Sequence, residues 1–254
     1  MNLLAHYYCT GIFSADMADE GGSVRLALGA ALPDLMGMFS RRARPRQLLR
    51  HWAGQPAGSE PEDQADAEVL RGVHHHHTVD QAFHHHPLFT ELSGELGQAL
   101  AAASRTGGLK RFLPAHVLSE LFLDHLLIGG EPRLPAHFLS ALEAQTRDLT
   151  RVFAGAYPED AGEFSAFLGR VIAARFVESY REMDGLFPIL QRILGRCRQR
   201  PLEAGEMAAL RAQLEHSTPR VREQLQTFAR QAAGWVPTAG GTAAGARLAE
   251  RAIA

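Results

Sequence analysis

Seven of the chain's thirteen histidines fall in one window, His74 to His77 and His84 to His86. Imidazoles and neighbouring carboxylates are nitrogen and oxygen ligands for a divalent ion, so the chemistry to consider first is metal binding and metal-assisted hydrolysis. Spacing sorts the candidates. Residues four apart share one face of a helix, and His76, Asp80 and His84 follow that rule, whereas His74 meets only Thr78 and His77 only Gln81. Such a stripe of two imidazoles and a carboxylate suits Mn²⁺, Fe²⁺ or Zn²⁺. A second stripe, His116, Glu120 and Asp124, with His125 adjoining, lies in a segment rich in leucine and phenylalanine. Polar groups on a core-facing stripe are costly unless paired or metal-bound. His6, in an apolar N-terminal segment, and Asp34, directly after Pro33, complete the candidate set. His75 and His85 are expected to point away from the stripe into solvent. His51, His137 and His216 are isolated and read as surface or capping residues. The residues alone leave open a solvated helix face or stripes that pair with each other. An expression tag is disfavoured, because the histidine runs are short, internal and set in a helical pattern.

Helices must position these groups, because the periodicity is helical throughout and no run of alternating β-branched residues is found. The pattern predicts helices over Leu3 to Cys9, Val24 to Leu32 with an interruption at Pro33, Gln47 to Trp52, and Glu68 to His85, with a break or new start at Pro87. Further helices are predicted over Glu91 to Ser104, Leu113 to Ile128, Pro135 to Phe153, Gly162 to Asp184, Leu186 to Arg198 and Glu203 to Ala233. Gly54 to Ala65 reads as an acidic loop. The expected organisation is one all-α domain over residues 1–236, followed by a loose Gly/Ala-rich tail over 237–254.

The 254 residues suffice for a large core that needs neither disulfide nor structural metal. Cys9 and Cys197 are too few and too distant to read as a disulfide framework. A formal net charge of −2 gives no electrostatic case for nucleic-acid binding. Nearly all the positive charge is arginine, Lys110 being the one lysine, and the planar guanidinium suits phosphate. Neither a signal peptide nor a continuous apolar stretch of membrane-spanning length is read, so the expectation is a cytoplasmic protein with no membrane partner. The oligomeric state is left open.

Five short blocks, in order, resemble the acyl carrier protein phosphodiesterases, also called acyl carrier protein hydrolases. They are Met1-Asn2-Leu3-Leu4-Ala5-His6; Gly29 through Leu32-Pro33-Asp34; Gly72-Val73-His74-His75-His76 with Val79-Asp80 and His86-Pro87; Leu123-Asp124-His125-Leu126-Leu127; and Tyr180-Arg181-Glu182-Met183-Asp184. The resemblance covers roughly residues 1–201. It implies a helical bundle related to HD-domain phosphohydrolases, a divalent metal (often Mn²⁺), and hydrolysis of the phosphodiester linking 4′-phosphopantetheine to a serine of holo acyl carrier protein. By position it picks out His6, Asp34, His76, Asp80, Asp124 and His125. The chain departs from the family pattern at Ala30, for asparagine; at His77, for arginine; and at Phe83-His84, for a Thr-Asp pair. These departures bear on the substrate more than on the fold.

The reading that follows is metal-assisted phosphodiester hydrolysis. His76, Asp80 and His84 hold the ion, with His6 and Asp34 or Asp124 completing it. Asp80, Asp124 and His125 are the catalytic candidates, His125 to relay a proton or orient a ligand. Arg181 binds phosphate or pairs with Asp184. Arg42 and Arg46, in the basic run Arg41 to Arg50, meet the acidic carrier protein. Other readings compatible with the sequence are hydrolysis of a nucleotide or other small phosphoester, a non-catalytic metal-storage or metal-sensing protein, and a helical interaction protein.

Overall fold

The structure, a computed structural model, describes residues 2–13, 21–53, 64–104 and 109–237. Every regular element among them is helical: α1 (Leu3–Tyr8), α2 (Gly21–Phe39), α3 (Pro45–Ala53), α4 (Gln64–His85), α5 (Pro87–Ala103), α6 (Phe112–Gly130), α7 (Leu134–Ala156), α8 (Ala161–Ala174), a 3₁₀ helix (Phe176–Arg181), α9 (Met183–Arg196) and α10 (Ala204–Ala233). The all-α expectation holds. Most of the predicted acidic loop, residues 54–63, and the predicted tail from 238 lie outside the described residues.

Two helices differ from their predicted form. Pro33 does not interrupt α2, which runs on to Phe39. A proline removes one amide donor and crowds the carbonyl a turn before it, but Leu26 to Leu32, Leu35 and Met36 are all buried, and that packing outweighs the lost bond. The predicted helix Gly162 to Asp184 is two elements. It stops at Ala174 because Arg175 turns into the left-handed region at φ 47°, and a 3₁₀ turn follows. No glycine or proline announces that break.

The chain divides into two compact units. The first comprises Met1–Ala5, Gln81–Ala136 and Arg175–Phe228. Its centre is α6, which packs on α5, α9 and the 3₁₀ helix and buries Leu118, Leu121, Phe122, Leu123, Leu126 and Ile128. By length and composition α6 could cross a membrane, which the sequence reading did not foresee; 61% of that stretch is buried within the protein. Asp124, fully buried on α6, accepts hydrogen bonds from the amides of Ala5 (2.8 Å) and Leu4 (3.3 Å). These are orphan donors of the first turn of α1, so α6 supplies a carboxylate that caps α1 from another helix.

The second unit comprises His6–Asp80, His137–Ala174 and Ala229–Ala254. Here α2 and α4 meet at backbone distance. A Cβ placed on Gly72 would stand 2.0 Å from the Leu26 carbonyl oxygen, and one on Gly29 would stand 2.1 Å from that of Val69. Glycine in a helix interior costs about 1 kcal/mol relative to alanine, and the close crossing is what these two make possible. Around it, a chain of charges links α2, α4 and α7. Arg25 bonds Asp148 at 2.9 Å and approaches Glu68 at 3.8 Å, while Arg151 bonds Asp66 at 2.8 Å and Asp148 at 3.2 Å. Asp66 and Glu68 are buried, so each needs a cationic partner. Farther along α7, Tyr157 accepts the Arg44 amide at 2.6 Å, and its ring stacks with Phe153. That pins the turn into α3.

Gly72→Ala should lower stability by about 2–3 kcal/mol through overpacking. Gly97→Ala, where an added Cβ meets nothing within 4 Å, should raise it by about 0.5–1 kcal/mol. Urea unfolding of the two variants checks the pair.

Burial pushes the Asp124 carboxyl up to about 8, against the two amides, which favour its charged form. A folded value above the unfolded one, about 3.9, means that the proton is held more tightly in the folded state. The stability Asp124 contributes is therefore complete below about pH 4 and falls as pH rises toward 8. Asp124→Asn should flatten that slope in unfolding midpoints measured between pH 5 and 8. Asp124→Ala, which leaves the α1 amides uncapped, should cost about 1–2 kcal/mol.

Candidate metal centre

Three of the predicted residues converge in the second unit. His6, from α1, Asp34, from the turn of α2 after Pro33, and His76, from α4, each offer one ligand atom, and all three atoms lie within 4.8 Å of one another. The imidazoles of His6 and His76 stack at 3.9 Å between centroids. His6 is wholly buried, His76 nearly so, and Asp34 half-buried. Asp80, one helical turn beyond His76, places a carboxylate oxygen 3.7 Å from His6 Nε2, with its side chain 37% exposed. The group therefore opens to solvent on the Asp80 side.

The α2–α4 crossing sets the orientation of His76. Gly72 lies one turn before His76 on the same face of α4, and the glycine contact brings His76 Nδ1 to 2.9 Å from the Ala30 carbonyl oxygen. A carbonyl can only accept, so Nδ1 carries the hydrogen and Nε2 is left with its lone pair. Burial first, and then the imidazoles of His6 and His77, hold His76 well below the ordinary histidine value, although Asp80 acts the other way. His76 is thus a neutral imidazole with one nitrogen fixed by a backbone carbonyl, the arrangement that orients a metal ligand. Two imidazoles with the carboxylates of Asp34 and Asp80 fit Mn²⁺, Fe²⁺ or Zn²⁺.

His84 has other neighbours. Although it stands four residues after Asp80, its ring stacks on His116 and its Nε2 lies 3.7 Å from Glu120, in the first unit. His116 and Glu120 belong to the second predicted stripe, and their i,i+4 spacing on α6 was the signal for it. Asp124 and His125 join neither group of convergent ligands among the described residues. Asp124 caps α1, and His125 Nδ1 donates to the Tyr180 carbonyl at 2.9 Å, tying α6 to the 3₁₀ helix.

His75 corrects an expectation. It is fully buried, and Nε2 lies 2.9 Å from the Ala232 carbonyl oxygen near the end of α10. It packs as a core residue, whereas His85 is exposed as expected and bonds back to Gln81 within α4. His86 caps α5 by accepting the Leu88 amide at 3.1 Å.

The arginines divide similarly. Arg181 bonds Glu178 at 2.6 Å, not Asp184, which pairs with Arg211 at 2.5 Å. Arg42 and Arg46 are exposed in the second unit. His77 is held below its ordinary value by burial and, among smaller effects, by the guanidinium of Arg46. The basic run therefore reaches the neighbourhood of the residue following His76.

The family model of the acyl carrier protein phosphodiesterases matches residues 47–232, nearly three quarters of the chain, from within α3 almost to the end of α10. His76, Asp80, His84, Asp124, His125 and Arg181 lie inside that span; His6, Asp34, Arg42 and Arg46 precede it. No curated protein and no solved structure matches the chain. The extent of the family match establishes that this chain belongs to the acyl carrier protein phosphodiesterase family and is a hydrolase of phosphoric diester bonds.

Proposed function

We propose that the protein removes 4′-phosphopantetheine from holo acyl carrier protein by hydrolysis at a divalent metal, Mn²⁺ by preference, held by His6, Asp34, His76 and Asp80. The observation that carries this reading is the convergence of the His6, Asp34 and His76 ligand atoms within 4.8 Å in a largely buried setting. When bound, such an ion lowers the pKa of a water toward neutrality and polarises a phosphoryl oxygen. His76 directs the Nε2 lone pair inward because its Nδ1 hydrogen is committed to Ala30. Asp80, at the open side, is placed to take a proton from the attacking water. The reaction adds that water across the phosphodiester, yielding apo carrier protein with a free serine hydroxyl and released phosphopantetheine.

An acyl carrier protein is small and acidic, so recognition calls for an exposed basic surface. Arg42 and Arg46 supply it in the same unit as the candidate metal centre. The field of Arg46 at His77 also puts a cation near the position where the family pattern carries an arginine and this chain does not. We place the enzyme in the cytoplasm, where its substrate is made and used.

Incubation of metal-loaded protein with holo carrier protein should lower the carrier's mass by that of phosphopantetheine, and a chelator should abolish the reaction until Mn²⁺ is restored. His76→Ala should reduce kcat by roughly 10³-fold or more. An unchanged carrier mass, or full activity in excess chelator, would remove the proposal. Arg42→Glu/Arg46→Glu should raise KM for carrier protein by about tenfold and leave a small diester substrate unaffected. Equal effects on both substrates would contradict the docking role.

A further inference from the structure

We propose that His84, His116 and Glu120 form a second divalent-metal site, suited to Zn²⁺, within the first unit. The three come from two helices, His84 from the last turn of α4 and His116 and Glu120 from successive turns of α6. One ligand atom from each lies within 4.8 Å of the other two. Both imidazoles aim at a single oxygen, Glu120 Oε1, with His116 Nε2 at 3.2 Å and His84 Nε2 at 3.7 Å. A tetrahedral zinc ion with bonds of about 2.0–2.1 Å holds its ligands roughly 3.4 Å apart, and the two distances fall on either side of that value.

Aromatic walls hold the rings in this attitude. The His84 and His116 planes are within 18° of parallel with centroids 5.0 Å apart, and Phe89 presents its ring perpendicular to both, at 4.6 and 4.9 Å. Phe112 covers His116 at 5.3 Å. His116 Nδ1 is buried and has no hydrogen-bond partner. One metal ion would meet both Nε2 atoms and the Glu120 carboxylate at once. The side chains remain 26%, 26% and 19% exposed, so an ion can enter and keep a water in its fourth position. Two histidines and a glutamate with one open position is a zinc donor set. Here the ion would clamp the end of α4 to α6.

The site is tested independently of the candidate centre at His6, Asp34 and His76 by working in a His76→Ala background. Protein stripped with chelator is titrated with Zn²⁺ by calorimetry, and with Co²⁺ while the visible ligand-field bands of the bound ion are followed. His76→Ala should still bind one ion per chain. His76→Ala/Glu120→Gln and His76→Ala/His116→Ala should bind it more weakly by roughly 100-fold or more and lose the Co²⁺ bands. Far-UV circular dichroism confirms that each variant is folded, and the near-isosteric Glu120→Gln carries the test if His116→Ala is not. Absence of any bound ion in His76→Ala overturns the proposal, as does an ion whose affinity and spectrum are untouched by Glu120→Gln. Neither outcome bears on hydrolysis at the other group.

Discussion

Two helix backbones lie against each other at Gly29 and Gly72, and the candidate centre depends on that contact. A side chain at either position would meet a carbonyl oxygen of the opposite helix at about 2 Å, so the approach of α2 and α4 is fixed by the absence of two Cβ atoms. The residues that matter chemically stand one step away from it: Ala30 next to Gly29, His76 a turn after Gly72, and Asp34 a turn after Ala30. The proline at 33 leaves the carbonyl of Gly29, four residues earlier, without its helical amide, while the next carbonyl along, that of Ala30, takes the His76 Nδ1 hydrogen. That one bond from α4 to the α2 backbone sets the tautomer of the ligand.

Buried charge is handled by pairing in both units. Asp66 and Glu68, in the first turns of α4, are met by Arg151 and Arg25, with Asp148 between the arginines. In the first unit, Arg200 holds Glu206 well below the ordinary carboxylate range, at about 2, through paired hydrogen bonds. Asp124 is the exception, since its hydrogen-bond partners are backbone amides rather than a guanidinium, and burial pushes its carboxyl up to about 8.

Much of this was legible from spacing and type. Helical periodicity revealed nearly every element, and the i,i+4 rule drew attention to His76 and Asp80 on α4 and to His116 and Glu120 on α6. What spacing lacks is reach. Residues eight apart on an α-helix are separated by about 12 Å along its axis, so one stripe can serve different neighbours at its two ends, as His76 and His84 do. Tertiary packing likewise hid the fate of His75, which reads as solvated until the carbonyl at the end of α10 is seen. The same applies to Arg175, whose left-handed turn ends α8 without a glycine. His6 and Asp34 stood out as single polar residues in apolar segments, and family resemblance picked out the same positions. Their convergence with His76 is a property of three helices and could not be computed from any one of them.

The segmental make-up of the first unit has a consequence for biosynthesis. Its parts are drawn from the beginning, middle and late stretches of the chain, ending at Phe228. On the ribosome, α6 therefore emerges long before α9 and α10, which complete the unit. At about 5–20 residues per second, the most apolar helix of the protein waits roughly 5–20 seconds for the last of its unit to be made. Through that interval, a segment with the length and composition of a membrane span has α5 beside it but not yet the 3₁₀ helix or α9, so the surface it turns toward them stays uncovered until the chain is nearly complete.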